Sequence, residues 1–335
     1  MAMKHLFGCP PRYGECTKET AFEILDYFYN HGGNFIDTAN AYQAEQSEMW
    51  LGEWMASRQN RDQIVLATKY TGAYKSHNSD MIQSNYSGNG TKSMRISLEE
   101  SLRKLQTTYI DILPVHYWDF TVTIPELMLS LNDLVSSGKI MYLGISDTPA
   151  WVVAKANQYA RDHGLRQFVV YQGLWNASVR DLEREIIPMC LDEGMGLCPY
   201  VTLNQGRFQT EAVFRERETY NPGRRSVIPL SELLPWRTNA KSALLPIVGG
   251  RTVEHLKGNI DALGVSLTDE QTTEIETGYD FDHGFPHTFL SGTLFNNSAT
   301  PRGAWGPGDI LLGGQRNFDW VERPRPIKPI QSGDD

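Results

Sequence analysis

The sequence is poor in cysteine and in positive charge. Its 335 residues include four cysteines, with no Cys-x-x-Cys spacing and no histidine-rich partner. We therefore expect reduced thiols in a reducing compartment, and no metal site. Lysine and arginine number 31 against 40 aspartate and glutamate residues, which gives a net charge of −9. Because sequence-independent nucleic-acid binding needs a basic footprint, we expect no nucleic-acid partner.

Long apolar runs are also missing. No run reaches the roughly 18 apolar residues of a membrane-spanning helix, so no membrane partner is expected. The first residues lack the apolar core of a signal peptide, from which we predict a cytoplasmic protein. No Gly-x-Gly-x-x-Gly follows the first clear strand, which disfavours a doubly wound dinucleotide fold.

Short apolar strands alternate with amphipathic helices along most of the chain. The strands are predicted near residues 35, 65, 112, 142, 169, 199 and 246. Such alternation indicates βαβ units with a parallel sheet, and this many repeats favour a (β/α)8 barrel. Two of the predicted helices begin at Thr148-Pro149 and at Ser178. We predict a single domain, residues 1–335, in which residues 281–335 form a C-terminal loop or tail over the site.

Two segments fit a regular barrel poorly. The first strand is predicted to be truncated, since only Met1–Phe7 can supply it. The helix before the last strand is predicted to be eroded, because Pro222, Pro229 and Pro235 forbid a long helix there. An incomplete barrel exposes strand edges, so either Met1–Phe7 forms a short strand or a second copy of the chain covers the gap as a homodimer. Pro114, inside a predicted central strand, is a further irregularity.

Polar residues stand where three predicted strands end. Asp37 ends the strand Phe35-Ile36, Lys69 ends the next and His116 the third, while Tyr42 follows Asp37 on its loop. In a barrel these ends open on one face. Each residue also has an ordinary interpretation: Asp37 as a helix cap, Lys69 on the surface, His116 and Tyr42 in packing. Their joint occurrence at strand ends favours a catalytic site.

The chemistry of these four side chains is consistent with carbonyl reduction. A tyrosine has a reference pKa of about 10, and a nearby ammonium group is expected to lower it. Asp37 would keep Lys69 charged and oriented. Tyr42 would then protonate a carbonyl oxygen oriented by His116. A carboxylate-dependent hydrolase is disfavoured, since it needs two facing carboxylates.

Several blocks of the sequence resemble the aldo-keto reductases. They are Phe35-Ile36-Asp37-Thr38-Ala39 with Tyr42, Ala67-Thr68-Lys69, Asp111-Ile112-Leu113 with His116, Gly144-Ile145-Ser146-Asp147, Tyr171-Gln172 and Pro246-Ile247-Val248-Gly249-Gly250-Arg251. Within that family, the sequence resembles the fungal aryl-alcohol dehydrogenase and norsolorinic acid reductase branch in the blocks Gly32–Asn40, Ser146–Val153 and Asp282–Pro286. The resemblance implies a barrel, NADPH as cofactor, and Tyr42, Lys69, Asp37 and His116 as the catalytic residues.

The resemblance also implies a cofactor site. Ser146, Asp147 and Gln172 would hold the nicotinamide carboxamide, and Tyr200 would stack on the nicotinamide ring. The loop of Leu203, Gln205 and Arg207 would wrap the pyrophosphate. Arg251, at a helix N-terminus, would hold the 2′-phosphate, and Asn259 would contact the adenine. A surface role for Arg251 is the alternative. His255 and Gly258 depart from the family pattern, which usually has an arginine and an acid there.

Two hypotheses for the function follow. The first is an NADPH-dependent reductase of a small-molecule ketone or aldehyde, with an aromatic, polyketide- or terpenoid-type skeleton, in secondary metabolism. The second is a catalytically weak or inactive cofactor-binding or regulatory protein on the same scaffold, suggested by the eroded strand and helix. Tyr117 and Trp118, beside His116, are the candidate walls of an apolar substrate pocket, although packing beneath the loop explains them equally well.

Overall fold

A ring of parallel strands forms the centre of the protein. The computed structural model describes residues 2–4, 16–204, 244–265, 267–279 and 281–290. The strands are β1 Ala2–Lys4, β2 Phe35–Asp37, β3 Val65–Ala67, β4 Ile110–Val115, β5 Ile140–Ser146, β6 Phe168–Leu174, β7 Gly196–Tyr200 and β8 Ile247–Val248. Their order in the sheet is β7-β6-β5-β4-β3-β2-β1-β8. Leu244, just before β8, bridges to Leu197 of β7 in parallel, which closes the ring. The prediction of a parallel (β/α)8 barrel is confirmed at this level.

The helices follow the strands along the chain. They are α1 Lys18–Asn30, α2 Gln46–Arg58, α3 Thr91–Lys104, α4 Ile124–Ser136, α5 Ala150–His163, α6 Ile186–Asp192, α7 Val253–Asp261, α8 Asp269–Thr277 and α9 His287–Leu290. Side chains cap several of them: Thr123 accepts from the Glu126 N–H, and Thr268 and Gln271 form a reciprocal capping box. The predicted crossover helix between β7 and β8 falls in residues 205–243, outside the described ranges.

One predicted helix start was wrong. The helix predicted from Ser178 begins only at Ile186, after a short 3-10 turn. Asn176 accepts hydrogen bonds from the Ser178 and Val179 N–H groups, and Pro188 lacks the N–H that would extend the helix backwards. The start predicted at Thr148-Pro149 is confirmed: Pro149 takes the cap position of α5, and the Thr148 hydroxyl donates to the Ser146 carbonyl.

Strand β1 occupies the place in the ring that the sequence left uncertain. Met3 is paired with Ile36 of β2 on one side and with Val248 of β8 on the other. A short segment within Met1–Phe7 therefore stands where a second copy of the chain was the alternative. The homodimer itself stays a prediction.

Pro114 is accommodated in the central strand β4. The Thr68 N–H donates to the Ile112 carbonyl and the His116 N–H donates to the Tyr70 carbonyl, so alternate residues of β4 face β3. Pro114 lies between them, where the β3 pairing is interrupted. The N–H that Pro114 lacks is therefore missing at a position where β4 and β3 are not paired.

The barrel has an apolar interior and a larger apolar layer beneath the helices. The interior residues are Phe35, Ala67, Ile112, Cys198 and Ile247, packed with Val65, Val170, Tyr200 and Leu245. Their immediate neighbours in the chain, such as Ile36, Leu66 and Leu197, belong to the outer layer. This alternation is the period of two that a β-strand imposes. It decides which strand-end side chains point into the barrel.

Residues 281–290 contact the segment after β6. Arg184 donates to the Asp282 carbonyl at 3.0 and 2.6 Å, and the Phe281 ring lies 4.7 Å from the Arg180 guanidinium carbon. Residues 291–335, the rest of the predicted tail, lie outside the described ranges. Within those ranges, no helix combines the length and apolar character needed to cross a bilayer.

Candidate active site

The alternation inside the barrel brings the predicted strand-end residues together. Phe35 and Ala67 line the interior, and two residues further along their chains stand Asp37 and Lys69. Val170 is followed in the same way by Gln172. The carboxyl ends of parallel strands meet at one face of a barrel, so these side chains form a polar layer above the apolar interior.

Asp37 and Lys69 form a fully buried ion pair. The Lys69 ammonium donates to both carboxylate oxygens of Asp37 at 2.6 Å and to the Thr38 carbonyl at 2.7 Å. Neither side chain has any exposed surface. Three acceptors thus satisfy the three N–H donors of the ammonium group, which is the condition for holding a charge away from water.

Gln172 completes the surroundings of Asp37. Its Nε2 donates to Oδ1 of Asp37 at 2.9 Å, across 135 positions of sequence. Sequence reasoning connected Gln172 only with the cofactor and missed this contact. No local signal predicts it, because only the closing of the barrel brings β6 opposite β2.

Tyr42 stands beside the ion pair on the loop that follows β2. The Lys69 Nζ lies 5.4 Å from the centre of the Tyr42 ring. The His116 ring lies 5.8 Å from it, at an interplanar angle of 75°. The four residues predicted to be catalytic therefore lie together at one site.

The expected direction of the Tyr42 pKa was wrong. Burial and the negative charges of Asp37 and Asp147 raise the pKa of Tyr42 well above its usual value. The expectation assumed that the Lys69 ammonium dominates, but Asp37 contacts that ammonium with both oxygens. Desolvation then controls the phenol and favours its neutral form. The neutral form is the one that can donate a proton.

An aromatic wall follows His116. Trp118 is buried, whereas Tyr117 is 41% exposed. Asn89 from the preceding loop braces this segment: its Nδ2 donates to the Tyr117 carbonyl at 3.1 Å, and its Oδ1 accepts from the Asp119 N–H at 2.9 Å. The Asn89 N–H in turn donates to the Asp119 carboxylate at 2.7 Å. The Tyr117 ring lies 5.9 Å from the His116 ring, whereas Trp118 packs with the outer apolar layer beneath the helices, as the packing interpretation expected.

The predicted carboxamide residues line the other side of the same face. Ser146 is paired with Gln172 at the ends of β5 and β6, and Asp147 follows with a positive φ of 42°. The Tyr200 hydroxyl donates to Oδ2 of Asp147 at 2.9 Å. Burial, followed by the charge of Asp147, raises the pKa of Tyr200. A hydroxyl, a carboxylate and an amide therefore meet here, as a set that can both donate to and accept from a primary amide.

The predicted phosphate-binding residues are described only in part. Leu203 is half-buried after β7, whereas Gln205 and Arg207 lie outside the described ranges. Arg251 is exposed directly before α7, whose first turn is capped by Thr252 through the His255 N–H at 3.3 Å. Asn259 is buried further along α7. A cation at this end of a helix is opposed by the helix dipole, which favours an anionic ligand there.

A second set of charged side chains lies beside the Tyr42 loop and was not predicted. It consists of the buried Glu45, Glu48 and Lys104 with the half-buried Lys75, called here the glutamate–lysine cluster. The sequence carries a signal for Lys104 on α3, where Ser97, Ser101 and Lys104 recur at i, i+4, i+7 and are all buried.

Metal binding receives no support from the described ranges. No group of three or more histidine, cysteine, aspartate or glutamate side chains there has the arrangement of a metal site. Cys16, Cys190 and Cys198 are buried free thiols, and burial raises the pKa of Cys190 and of Cys198 to about 12. Thiols so far from ionising are structural rather than reactive. Cys9 lies outside the described ranges.

Enzymes with a parallel barrel carry their active sites at the carboxyl ends of the strands, where this protein has its cluster of ionisable side chains. The similarity to known proteins identifies the class as oxidoreductase. The Aldo/keto reductase family model matches residues 7–244. The chain belongs to the aldo/keto reductase family.

Its relatives include named reductases and dehydrogenases of fungi. Norsolorinic acid reductase B of Dothistroma septosporum is 59% identical over 341 residues, which cover 95% of this chain and 87% of that protein. Norsolorinic acid reductase B of Aspergillus parasiticus is 59% identical over 345 residues, covering 95% and 89%. An aryl-alcohol dehydrogenase of Pestalotiopsis microspora is 47% identical over 339 residues, covering 95% and 86%.

Proposed function

We propose that the protein is an NADPH-dependent reductase of an aromatic, polyketide- or terpenoid-type ketone or aldehyde in secondary metabolism, with Tyr42 as the proton donor. One observation carries this proposal: Tyr42 and His116 lie side by side over a buried Asp37–Lys69 pair. Family membership and the names of the relatives support carbonyl chemistry. The cytoplasmic location stays a prediction.

The protein's own residues supply the acid half of the reaction. A tyrosine of ordinary pKa, about 10, is neutral near pH 7, and burial raises the pKa of Tyr42 further, so its hydroxyl has a proton to give to a carbonyl oxygen. His116 would orient that oxygen. The Lys69 ammonium, 5.4 Å from the centre of the Tyr42 ring, would partly offset the burial and the negative charges that oppose ionisation of the phenol. The chemistry expected of the bound cofactor is hydride transfer to the carbonyl carbon.

The residues near the polar layer suit a dinucleotide. Ser146, Asp147 and Gln172 offer the mixed donors and acceptors that a carboxamide needs, and Tyr200 would stack on the nicotinamide ring. Leu203, Gln205 and Arg207 would hold the pyrophosphate. Arg251 at the start of α7 would hold the 2′-phosphate, and the buried Asn259 would meet the adenine.

The substrate side is aromatic in character. Tyr117 and Trp118 follow His116, and Asn89 hydrogen-bonds to their segment. The Tyr117 ring lies 5.9 Å from the His116 ring, which makes Tyr117 the residue proposed to contact substrate, while Trp118 packs behind it in the outer layer. An aromatic ring could stack against such a wall. The relatives' printed names mention norsolorinic acid and aryl alcohols. We therefore place an aryl aldehyde and norsolorinic acid first among the compounds to be tested.

Turnover and cofactor binding together decide between the two functions. The purified protein should oxidise NADPH when an aryl aldehyde or norsolorinic acid is added, followed by loss of the reduced nicotinamide absorbance. A fluorescence titration measures NADPH binding separately. Binding without turnover on either compound would support the catalytically inactive alternative, and absence of both would contradict the reductase proposal.

Replacing Arg251 by alanine should weaken the binding of NADPH but not the binding of NADH. A hydrogen bond to a charged group contributes about 1.5–3 kcal/mol, so the Kd for NADPH should rise about tenfold to a hundredfold. The Kd for NADH, which lacks the 2′-phosphate, should stay the same. Arg95→Ala is the control, since Arg95 forms an exposed pair with Asp133 on the helix layer. Equal losses for NADPH and NADH would refute the role of Arg251.

A further inference from the structure

The backbone directly after Tyr42 adopts a conformation that L-residues rarely take. Gln43, Ala44 and Glu45 have φ values of 48°, 49° and 78°. None of the three is glycine, so each is sterically disfavoured in this region. A run of this kind persists only where the surrounding structure holds it. Whatever holds it also determines where the Tyr42 ring lies.

Lys104 contacts the chain on both sides of Tyr42. Its ammonium donates to the Asn40 carbonyl at 3.4 Å and pairs with the Glu45 carboxylate at 3.0 Å. The side chain of Lys104 is 1% exposed. A single buried cation at the end of α3 therefore bridges the residues that precede and follow the proposed proton donor.

The same cation reaches the strand that carries Lys69. Lys104 pairs with Glu48 at 2.7 Å, and Glu48 accepts from the Thr68 hydroxyl at 2.5 Å. Thr68 is the immediate neighbour of Lys69 in the chain. Gly52 permits this approach of α2 to α3, because a Cβ there would come within 2.2 Å of the Lys104 carbonyl oxygen.

Charges of both signs alternate in the glutamate–lysine cluster. Glu45 and Glu48 face Lys104 and Lys75, with Lys75 at 2.7 Å from Glu45. At its edge, the half-buried Glu100 lies 3.7 Å from Lys75, and His77 lies 3.6 Å from Glu45. Buried ion pairs contribute little net stability compared with apolar side chains of the same volume. What a buried ion pair adds, and apolar side chains do not, is a fixed geometry of its hydrogen-bonded groups.

We propose that Lys104 is a positioning residue for Tyr42, acting through Glu45 and the Asn40 carbonyl. It does not contact the reacting atoms. It holds the left-handed segment 43–45, and through Glu48 and Thr68 it keeps that segment in register with Lys69. This inference rests on the proposed function only for its kinetic consequence, since the position of the loop can be measured without any substrate.

The test compares Lys104→Met with Lys104→Arg and with Arg95→Met. Arg95 lies on the same helix α3, and its exposed pair with Asp133 lies outside the glutamate–lysine cluster, which makes it the matched control. We expect Lys104→Met to lower kcat for NADPH-dependent reduction of an aryl aldehyde about a hundredfold, the scale for a misplacement of about 1 Å. The Kd for NADPH should not change. Lys104→Arg should recover most of the loss.

Hydrogen exchange supplies the readout that does not depend on activity. Amides of residues 40–47 should exchange faster in Lys104→Met, while those of β5 and β6 stay protected as in the unmodified protein. If Lys104→Met does not fold, Lys104→Met/Glu48→Gln removes one charge of each sign and serves in its place.

The possible outcomes separate the two proposals. Faster exchange at residues 40–47 without turnover in the unmodified protein would support the role of Lys104 and contradict the reductase. Unchanged exchange and kcat in Lys104→Met would overturn the role of Lys104. Equal effects on all amides, on kcat and on NADPH binding, with no recovery in Lys104→Arg, would also overturn it, since that pattern is general destabilisation.

Discussion

Replacing Tyr42 by phenylalanine should reduce kcat for carbonyl reduction by about a hundredfold to ten-thousandfold, the range for a lost general acid. The variant keeps the ring and its contact with His116 but has no proton to donate. The Kd for NADPH should be unchanged, because the missing hydroxyl is not among the groups proposed to hold the cofactor. Initial-rate assays with an aryl aldehyde measure kcat, and a parallel titration with NADPH measures the Kd.

Tyr70→Phe is the matched control for this experiment. Tyr70 is buried one residue beyond Lys69, but it packs in the outer layer beneath the helices. Its hydroxyl bonds to no group in the part of the chain that the structure describes. Loss of that hydroxyl should therefore leave kcat close to that of the unmodified protein. If Tyr42→Phe turned over as fast as the unmodified protein, Tyr42 would be excluded as the proton donor.

The raised pKa of Tyr42 determines how activity should vary with pH. The acid form needed for reduction persists as long as the pH is below that pKa, so reduction should show no loss from this group through neutral and mildly alkaline pH. Oxidation of the corresponding alcohol needs the ionised phenol as a base. Its rate should instead rise with pH over the same range.

The second large effect is expected at the buried ion pair. Lys69→Met leaves the Asp37 carboxylate without exposure and with Gln172 as its remaining described donor. Removing one partner of a buried pair costs about 3–5 kcal/mol, so the urea midpoint should fall strongly. Reductase activity should be lost as well, because the ammonium group that would partly offset the cost of ionising the buried phenol is gone.

A double variant distinguishes the loss of stability from the loss of chemistry. In Asp37→Asn/Lys69→Met both charges are absent, and the side-chain carbonyl of the introduced asparagine can still accept the hydrogen bond from Gln172. Most of the lost stability should return, since no unpaired charge is buried. Activity should stay lost. A double variant as unstable as Lys69→Met would show that the pair matters through packing rather than through charge.

The strands of the barrel were largely predictable because each is a local pattern. Apolar runs near Phe35, Val65 and Ile140 sit between helices with their own caps, and a parallel barrel follows from that alternation. Boundaries depended on details that patterns do not carry. Asn176 accepts hydrogen bonds from the N–H groups of Ser178 and Val179, and α6 therefore begins only at Ile186.

The sequence predicted where the residues of the polar layer lie but not which of their atoms interact. Asp37, Lys69 and His116 stood out because a charged or polar residue directly after a buried strand is conspicuous in sequence. The direction of the Tyr42 pKa was not accessible in that way, because it depends on burial and on which oxygens the Lys69 ammonium contacts. A sequence states which charges exist, not how far apart they are.

By itself, the sequence determined the alternating fold, the family and the four side chains proposed for catalysis, because these depend on residue type and spacing. Only the tertiary structure decided that Gln172 contacts Asp37, that Lys104 contacts both sides of the Tyr42 segment, and that the surroundings of Tyr42 raise its pKa. These features join residues far apart in the chain, such as Asp37 and Gln172, 135 positions apart. Closure of the ring brings such residues together and removes the water that would otherwise screen their charges.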